Sequence, residues 1–298
     1  MKHKLSKSLI VLFLVLFGIS PNLWAGNDWW DTGAAKLTFS KNSSSTTVTL
    51  NKTNVAKTTW TGVTSLTLNS IECNLWFSNY DYADHGNVCS AKLYYRIYAG
   101  SQDKSKSDSY TEVATSFKSK SDWKDSKYDV VWTKTGLSTN LLSGLEGGKY
   151  TFEYYFKATG GTNNGTDCNS SFYLSNNSSN YAIEFTYAKS YTVTLNANGG
   201  TINAGNVTSY AYGTGATLPT NVTKTGYRFD GWFDNSDLTG SAVTTISTTA
   251  TGDKEYWAKW TAKTYTVTLD AQGGTSGSGN VTATYDAAMP EATMPTRT

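Results

Sequence analysis

The sequence predicts an all-β protein that consists of a β-sandwich domain followed by smaller modules. Its 10 Trp, 20 Tyr and 11 Phe residues supply bulky side chains for hydrophobic cores, which a disordered chain would lack. Only 16% of the residues are charged, and threonine, serine, asparagine and 26 glycines take their place. Short alternating segments bounded by glycine turns, and one segment that recurs along the chain, are typical of strands rather than helices.

Residues 1–25 are predicted to be a secretory signal peptide. Three lysines lie within the first eight residues, nine apolar residues follow from Leu9 to Phe17, and Ala25 ends the segment with a small side chain. A basic start, a short apolar run and a small-residue cleavage site are typical of a signal peptide. Nine apolar residues are too few to cross a bilayer, which needs about 20. We therefore expect a secreted or cell-envelope protein with no membrane span beyond the signal peptide.

The charge of the mature chain does not indicate a nucleic-acid partner. Removal of residues 1–25 lowers the number of Lys and Arg residues from 25 to 22, against 23 Asp and Glu, so the net charge falls from +2 to about −1. A nucleic-acid-binding face needs clustered Lys and Arg. Lysines do concentrate between residues 104 and 127, but aspartates are interleaved with them, as on a solvated surface.

Residues 26–188 are predicted to form the β-sandwich. Seven segments of this region read as strands because they are rich in aromatic and β-branched residues, often in alternation with polar ones. Glycine-containing turns at 86–87, 147–148 and 160–161 separate several of these segments. Short strands at fairly even spacing are typical of a sandwich. The predicted strands are 35–39, 46–50, 65–77, 90–98, 128–132, 150–158 and 181–187.

The chain contains three cysteines, so it can form at most one internal disulfide. Their spacing alone leaves three pairings open. Cys73 shares an alternating strand face with Ile71 and Leu75, so we expect it to be a small buried core residue. Cys89 and Cys168 lie in loop-like stretches next to strands, and cysteines tend to pair outside the cytoplasm. These contexts favour a Cys89–Cys168 disulfide.

The sequence offers few residues for catalysis or metal binding. One of its two histidines, His3, lies in the signal peptide, and a histidine-based metal site needs two or three such ligands. Asp81, Asp84 and His85 form a polar stretch that suits either a calcium loop or a simple turn, and no glutamate completes a calcium-loop spacing. No pair of carboxylates stands out for glycoside hydrolysis. We expect no enzyme activity, no cofactor and no metal site.

Several aromatic residues of the sandwich are candidates for stacking on sugar rings. The alternative is that most of them belong to the core, since a domain with few Leu and Ile residues must pack on aromatic side chains. The stacking candidates are Trp29, Trp30, Tyr80, Tyr82 and Trp123, with Tyr173 as a further one.

A segment of the chain recurs at an offset of 74 residues. Tyr-Thr-Val-Thr-Leu-Asn-Ala-Asn-Gly-Gly at 191–200 parallels Tyr-Thr-Val-Thr-Leu-Asp-Ala-Gln-Gly-Gly at 265–274, and Gly-Asn-Val-Thr at 205–208 parallels the same four residues at 279–282. Self-similarity at a fixed period indicates an array of modules, and this period is long enough for each module to be a small domain.

The first copy reads as a set of strands around an aromatic core. Segments 191–195, 207–212 and 256–260 are predicted strands, and Asn-Gly-Gly at 198–200 is a turn signal. A core this small depends on large side chains, each burying about 150–250 Å². The predicted core residues are Tyr227, Phe229, Trp257 and Trp260, with Trp232 as a further candidate.

These motifs resemble the internalin B-type repeat, also called the Listeria–Bacteroides repeat. The resemblance runs through the strand at 191–200, Leu-Pro at 218–219, Gly-Tyr-Arg-Phe-Asp-Gly-Trp-Phe at 226–233 and Tyr-Trp-Ala-Lys-Trp at 256–260. It implies a small β-grasp-like module of bacterial surface and secreted proteins, which acts as a spacer or interaction unit and has no catalytic activity. The N-terminal domain, with its loop-like segment 137–150 before a strand, resembles β-sandwich modules of secreted bacterial proteins.

The second copy lacks the glycine-aromatic segment and the closing aromatic strand. Such a half-unit exposes an unpaired sheet edge, so either the chain is a fragment of a longer protein, which we favour, or residues 265–298 are partly disordered. The predicted domains are the signal peptide 1–25, the sandwich 26–188, a first repeat 189–262 and a partial repeat 263–298. We expect the first repeat to fold by itself, near the lower size limit for a single core, and the partial repeat not to do so.

Together these features favour a non-catalytic secreted or cell-surface bacterial protein whose repeats act as spacer or adhesion units. The alternative is the carbohydrate-binding accessory region of a truncated polysaccharide-degrading enzyme. The candidate partners are accordingly a polysaccharide or a host or cell-surface protein.

Overall fold

The structure is a computed structural model that describes residues 30–50, 57–78, 88–103, 105, 109–123, 127–160, 168, 170–175 and 180–297. Within these ranges the secondary structure consists of strands, and the predicted all-β class is confirmed. The described residues include no helix that is long and apolar enough to cross a membrane. The chain divides into two compact units, Met1–Tyr187 and Ala188–Thr298.

The first unit contains two six-stranded sheets. The first sheet is antiparallel in the order β2-β1-β4-β8-β7, and β9 pairs with β4. Its strands are β1 (Trp30–Lys41), β2 (Ser44–Leu50), β4 (Leu66–Ser78), β7 (Ser116–Trp123), β8 (Lys127–Lys134) and β9 (Thr139–Asn140).

The second sheet has the order β3-β12-β10-β5-β6, and β11 pairs with β10. Its strands are antiparallel except β3 and β12, which run parallel. They are β3 (Thr58–Val63), β5 (Val88–Ala99), β6 (Thr111–Ala114), β10 (Gly148–Gly160), β11 (Ser170–Leu174) and β12 (Tyr181–Tyr187).

The core of the first unit lies between the two sheets. Alternate residues of β1, among them Leu37 and Phe39, are fully buried, because successive side chains of a strand point to opposite faces. Phe39 meets Phe152 of β10 edge to face, with 5.8 Å between ring centroids. Cys73 lies in the same core with no exposed surface and a free thiol, as its strand pattern predicts. The region is therefore a β-sandwich closed by aromatic and aliphatic side chains.

The second unit begins with the first copy of the repeat. A four-stranded sheet has the order β15-β13-β20-β18, in which the two central strands, β13 and β20, are parallel and each outer strand is antiparallel to its neighbour. Two small antiparallel strand pairs, β14 with β17 and β16 with β19, complete this copy. The strands are β13 (Ser190–Asn196), β14 (Thr201–Ile202), β15 (Ser209–Ala211), β16 (Ala216–Thr217), β17 (Val222–Thr223), β18 (Tyr227–Phe233), β19 (Thr245–Ile246) and β20 (Lys254–Ala262).

Trp232 is the main core side chain of this copy, and it is only 2% exposed. Its indole Nε1 donates a hydrogen bond to the Pro219 carbonyl oxygen over 2.7 Å. A register shift between Phe229 and Gly231 inserts one extra residue into β18. This bulge allows Phe229 and Trp232 to share a face and to meet edge to face, with 5.6 Å between centroids.

Two of the predicted core residues of this copy, Tyr227 and Trp257, lie outside its core. Tyr256, Ala258 and Trp260 of β20 face the core, and alternation places Trp257 on the opposite face. Tyr227 pairs with Ala262 at the end of the sheet, beyond the core residues. The predictions for Phe229, Trp232 and Trp260 agree with the structure.

The second copy of the repeat is a two-stranded hairpin of β21 (Thr264–Thr268) and β22 (Asn280–Thr284). It reproduces the β13–β15 hairpin of the first copy, in which Tyr191 pairs with Tyr210 as Tyr265 pairs with Ala283. Among the described strands, β21 pairs with β22 alone, whereas β13 also pairs with β20. Tyr265 is consequently 50% exposed, while Tyr191 is 6% exposed.

Candidate functional site

Of the six aromatic residues predicted to stack on sugars, the structure describes the side chain of Tyr173. Trp29, Tyr80 and Tyr82 lie outside the described residues, as do Asp81, Asp84 and His85 of the polar stretch. The backbone of Trp30 lies in β1 and that of Trp123 in β7, and strands β4 and β8 separate these two.

A disulfide joins Cys89 and Cys168, the pairing favoured by their loop-like contexts. Their Cα atoms are 5.9 Å apart, and 79 positions separate them in the sequence. Cys89 lies in β5 and Cys168 just before β11, and both of these strands pair with the last residues of β10. The bridge therefore holds together the strands on either side of the end of β10.

The outer face of the second sheet carries aromatic and charged side chains. In β5, Leu93 and Tyr95 face the sandwich core, so Lys92, Tyr94 and Arg96 project from the opposite face. The same alternation in β10 places Glu153, Tyr155 and Lys157 on that outer face, because Phe152, Tyr154 and Phe156 are core residues. The register pairs Tyr94 with Tyr155 and Arg96 with Glu153.

Four tyrosines on this face are in mutual contact, and we call them the tyrosine cluster: Tyr94, Tyr110, Tyr155 and Tyr173. The rings of Tyr94 and Tyr155 are stacked, with centroids 5.0 Å apart and planes 6° apart. Tyr110 meets Tyr155 edge to face at 5.1 Å, and Tyr173 lies tilted against it at 6.1 Å. All four remain partly accessible to solvent. Tyr155 is thus the centre of a partly exposed aromatic surface.

Charged groups border the tyrosine cluster. The Lys92 ammonium forms a 2.6 Å ion pair with Glu112 Oε1, and the Tyr94 hydroxyl donates a 2.6 Å hydrogen bond to Glu112 Oε2. These two donors lower the pKa of the Glu112 carboxyl. Lys157 places its ammonium 5.7 Å from the ring centroid of Tyr173. The cluster therefore has hydrogen-bonding groups of both charges at its border.

Beside the cluster, Glu153 accepts hydrogen bonds from four side chains, a set that we call the Glu153 network. Arg96 Nη2 lies 3.0 Å from Oε1, and the Tyr98 hydroxyl lies 2.5 Å from Oε2. The Tyr110 hydroxyl and Asn180 Nδ2 lie 2.6 Å and 2.7 Å from Oε1. Tyr110 belongs to both groups, so the network fixes the position of one ring of the cluster.

The hydrogen bonds of the network control the ionisation of its members. Burial acts to raise the pKa of Glu153, but the hydrogen bonds from Tyr110, Tyr98 and Asn180 and the charge of Arg96 outweigh it and hold the pKa below the ordinary value. Burial and the bond to Glu153 raise the pKa of Tyr98 to about 12. Near neutral pH the network therefore contains an ionised carboxylate and neutral phenols.

The connection that follows β5 is tied to this network. The backbone N–H of Asp103 donates to the Tyr98 hydroxyl over 3.0 Å, and Gln102 donates through its side-chain amide to the Asn180 carbonyl oxygen over 2.9 Å. In the part of the chain that the structure describes, no group of three or more His, Cys, Asp or Glu side chains is arranged to hold a metal ion. The contacts on this face are ring stacking, ion pairing and hydrogen bonding between side chains.

The first copy of the repeat in the second unit also matches a known protein family. Residues 191–259 match the family model of the Listeria-Bacteroides repeat domain. The match confirms the resemblance carried by the motifs of the first copy, and it covers the repeat domain from β13 into β20. Repeat domains of this family occur in surface proteins. No curated protein matches the chain.

Sequence reasoning missed the residues of the tyrosine cluster other than Tyr173. The signal was present as alternation, since Lys92, Tyr94 and Arg96 occupy every second position of a predicted strand. Alternation alone does not predict that β5 pairs with β10, and it is this pairing that places Tyr94 beside Tyr155.

Proposed function

We propose that this is a non-catalytic secreted or cell-surface bacterial protein, in which the repeat modules act as spacer or adhesion units. The observation that carries the proposal is the repeat itself. Its first copy has its own core around Trp232 and matches a family found in surface proteins, and a second copy follows after a single residue, Lys263. A self-contained module that recurs in this way is suited to extending a chain from a surface.

Export of the protein is supported by the sequence of residues 1–25 and by the disulfide. A bridge between Cys89 and Cys168 is suited to an oxidising compartment outside the cytoplasm. Expression in an exporting bacterial host tests this. We expect mature protein that begins at Gly26, and an intact mass that retains Met1 would contradict the proposal.

The described acidic residues of the sandwich support a non-catalytic role, because several of them are already paired. Glu72 forms a 2.8 Å ion pair with Lys36, Glu184 pairs with Lys57, and Glu153 is surrounded by donors. A glycosidase instead presents two carboxyl groups to its substrate at about 5–10 Å from each other. Incubation of the purified protein with a panel of polysaccharides should release no reducing ends, and measurable release would contradict this part of the proposal.

A second candidate function is carbohydrate binding by the sandwich, as the accessory region of a polysaccharide-degrading enzyme. The tyrosine cluster favours it, because aromatic rings bury the apolar faces of a ligand while their hydroxyls keep polar contacts. Lys92, Glu112 and Lys157 lie where they can exchange hydrogen bonds with the hydroxyls of a sugar chain. A catalytic domain encoded past Thr298 would favour this second function over the first.

Affinity gel electrophoresis against soluble polysaccharides tests the second function. If one polysaccharide retards the protein, Tyr94→Ala and Tyr173→Ala should each weaken the affinity by about tenfold, which corresponds to ~1.4 kcal/mol. Tyr265→Ala is the matched control, because it removes an exposed tyrosine from the second unit. Equal retardation of all variants, or no retardation by any polysaccharide, would contradict carbohydrate binding at this face.

A further inference from the structure

Gly226 of the first repeat copy is in direct contact with Tyr285 of the second. A Cβ atom placed on Gly226 would lie 2.3 Å from three atoms of the Tyr285 ring. Side-chain atoms essentially never approach each other this closely, so the contact requires glycine. The ring of Tyr285 therefore packs against bare backbone.

Tyr227 completes the surface that receives Tyr285. The two rings meet edge to face, with 5.5 Å between centroids and 76° between planes. The Tyr227 hydroxyl donates a hydrogen bond to Asp286 Oδ2 over 3.1 Å. Tyr227, which the sequence assigns to the core, thus uses its ring and its hydroxyl toward the second copy.

The connection between the two copies is tied to the same place. Lys263 is the single residue between β20 and β21. Its N–H donates to the Gly226 carbonyl oxygen over 2.9 Å, and its own carbonyl oxygen accepts from the N–H of Tyr285, also over 2.9 Å. Both backbone groups of the linker are therefore used, which leaves little freedom for one copy to rotate about the other.

The first copy contains the counterparts of Lys263 and Tyr285. The N–H of Tyr212 donates to the Lys189 carbonyl oxygen over 3.1 Å, as Tyr285 does to Lys263. In each copy, therefore, the carbonyl oxygen of the lysine before the first strand accepts a hydrogen bond from the N–H of a tyrosine later in that copy. The first copy also has the Gly-Tyr pair that receives the tyrosine of the second. Such a contact can be repeated from copy to copy along an array.

We propose that Gly226 and Tyr227 form an inter-repeat joint that receives Tyr285 and Asp286 of the following copy. The joint holds consecutive repeats as one body, so that the repeat region is a rigid spacer rather than a flexible tether. This inference rests on the proposed spacer function but is tested on the purified chain, so its outcome is separate from that of the export experiment.

Distance measurements between spin labels on the full chain test the joint. Labels are attached at Thr251→Cys in the first copy and Thr266→Cys in the second, both at exposed positions, while Cys73 is buried. We expect a narrow distance distribution in the parent protein. Gly226→Ala should broaden it, because the added methyl group displaces Tyr285.

The matched control for this variant is Gly240→Ala. Gly240 has a φ of +82°, close to the +77° of Gly226, and nothing lies within 4 Å of its hypothetical Cβ. Both variants thus place alanine at a similar positive φ, and only Gly226→Ala adds the clash. Broadening in Gly226→Ala alone supports the joint. An equally narrow distribution in both variants, or equal broadening in both, overturns it.

A second variant addresses the case in which Gly226→Ala unfolds the first copy. Tyr285→Ala leaves every residue of that copy unchanged and should also broaden the distribution. It should increase amide exchange in β22 by up to about tenfold, the factor expected for loss of one aromatic contact. Exchange in β13 and β20 should not change. A narrow distribution in Tyr285→Ala would overturn the joint whatever the result with Gly226→Ala.

Discussion

Arg96 and Glu153 form an ion pair with 3.0 Å between Nη2 and Oε1, on the outer face of a sheet, and yet their side chains are only 6% and 4% exposed. Tyr98, Tyr110 and Asn180 cover the pair and donate to the same carboxylate. Removal of one partner of a buried ion pair lowers the free energy of unfolding by more than the intact pair contributes to it, because the remaining charge stays buried without compensation. Among the described residues of the sandwich, the Glu153 network holds the buried ion pair, so the loss of one of its charges should be costly.

Glu153→Gln should lower the free energy of unfolding of the sandwich by about 3–5 kcal/mol, because it leaves the Arg96 guanidinium buried without its counter-charge. Urea denaturation followed by tryptophan fluorescence measures this. Glu112→Gln is the control, since Glu112 lies on the same face with its side chain 44% exposed and should change the stability far less. Equal effects of the two substitutions would contradict the argument.

The stabilising effect of Glu153 should depend on pH. Its pKa in the folded protein is below the ordinary value of 4.5, so its contribution is fully present above about pH 4.5 and is lost as the pH falls through the lower, folded value. The stability difference between the parent protein and Glu153→Gln should accordingly shrink between pH 7 and pH 3. A difference of constant size at the two pH values would exclude the carboxylate as its source.

Removal of the Cys89–Cys168 bridge should destabilise the sandwich by about 2–5 kcal/mol. Cys168→Ser should lower the melting temperature of the sandwich, and added reductant should then have no further effect on this temperature. In Cys73→Ala, which keeps the bridge, reductant should still lower the melting temperature. Burial raises the pKa of the Cys73 thiol far above its ordinary value, so alkylation at pH 8 should require unfolding. Peptide mapping without reduction that finds Cys73 in a disulfide would contradict both expectations.

Trp232→Ala and Trp257→Ala should differ strongly in effect. Trp232 is 2% exposed and donates a buried hydrogen bond, so its truncation should cost the first repeat copy about 3–5 kcal/mol. Trp257 lies on the other face of β20 and is less buried. Amide exchange in β13, measured for both variants in the full chain, should rise much more for Trp232→Ala, and the opposite order would refute the assignment of the core.

Strand β13 should be better protected from amide exchange than β21. Of the strands that the structure describes, two are hydrogen-bonded to β13, one on each edge, and one is hydrogen-bonded to β21. Exchange in Thr264–Thr268 should therefore be faster than in Ser190–Asn196 in the intact chain. Equal protection of the two strands would indicate that the free edge of β21 is covered in solution.

The central strands of the sandwich could be predicted from sequence, whereas of its edge strands only β2 was predicted. Central strands such as β4 and β10 bury one face, which leaves a clear alternation in the sequence. Of the strands that alternation missed, β3, β6 and β7 lie at sheet edges. In β7 the mixed charges of Lys118, Lys120 and Asp122 predict a solvated surface. Charged residues are also what protects an edge strand from pairing with another chain, so the composition is compatible with both.

The candidate site was predictable only in part. The Cys89–Cys168 pairing followed from local context and compartment, without knowledge of the fold. The tyrosine cluster and the Glu153 network depend on which strands are neighbours, as in the alignment of Arg96 with Glu153 across 57 positions of sequence. In the repeat, strand alternation assigns Tyr227 to the core face, but this residue lies beyond the end of the core. Alternation also does not predict the bulge in β18, which places Trp232 on the core face.

Because β13, the first strand of the repeat, pairs in parallel with β20, its last strand, the sheet of the first copy can form only after β20 has been synthesised. Leu195 lies opposite Tyr256, so the strand made first cannot gain its central neighbour until some 60 further residues have been synthesised. Until then the growing chain presents β13 with the same bare edge that β21 shows in the finished structure. The sheet of the first copy is thus completed only after Lys254 has been synthesised, and any pause before that residue prolongs the exposure of the β13 edge.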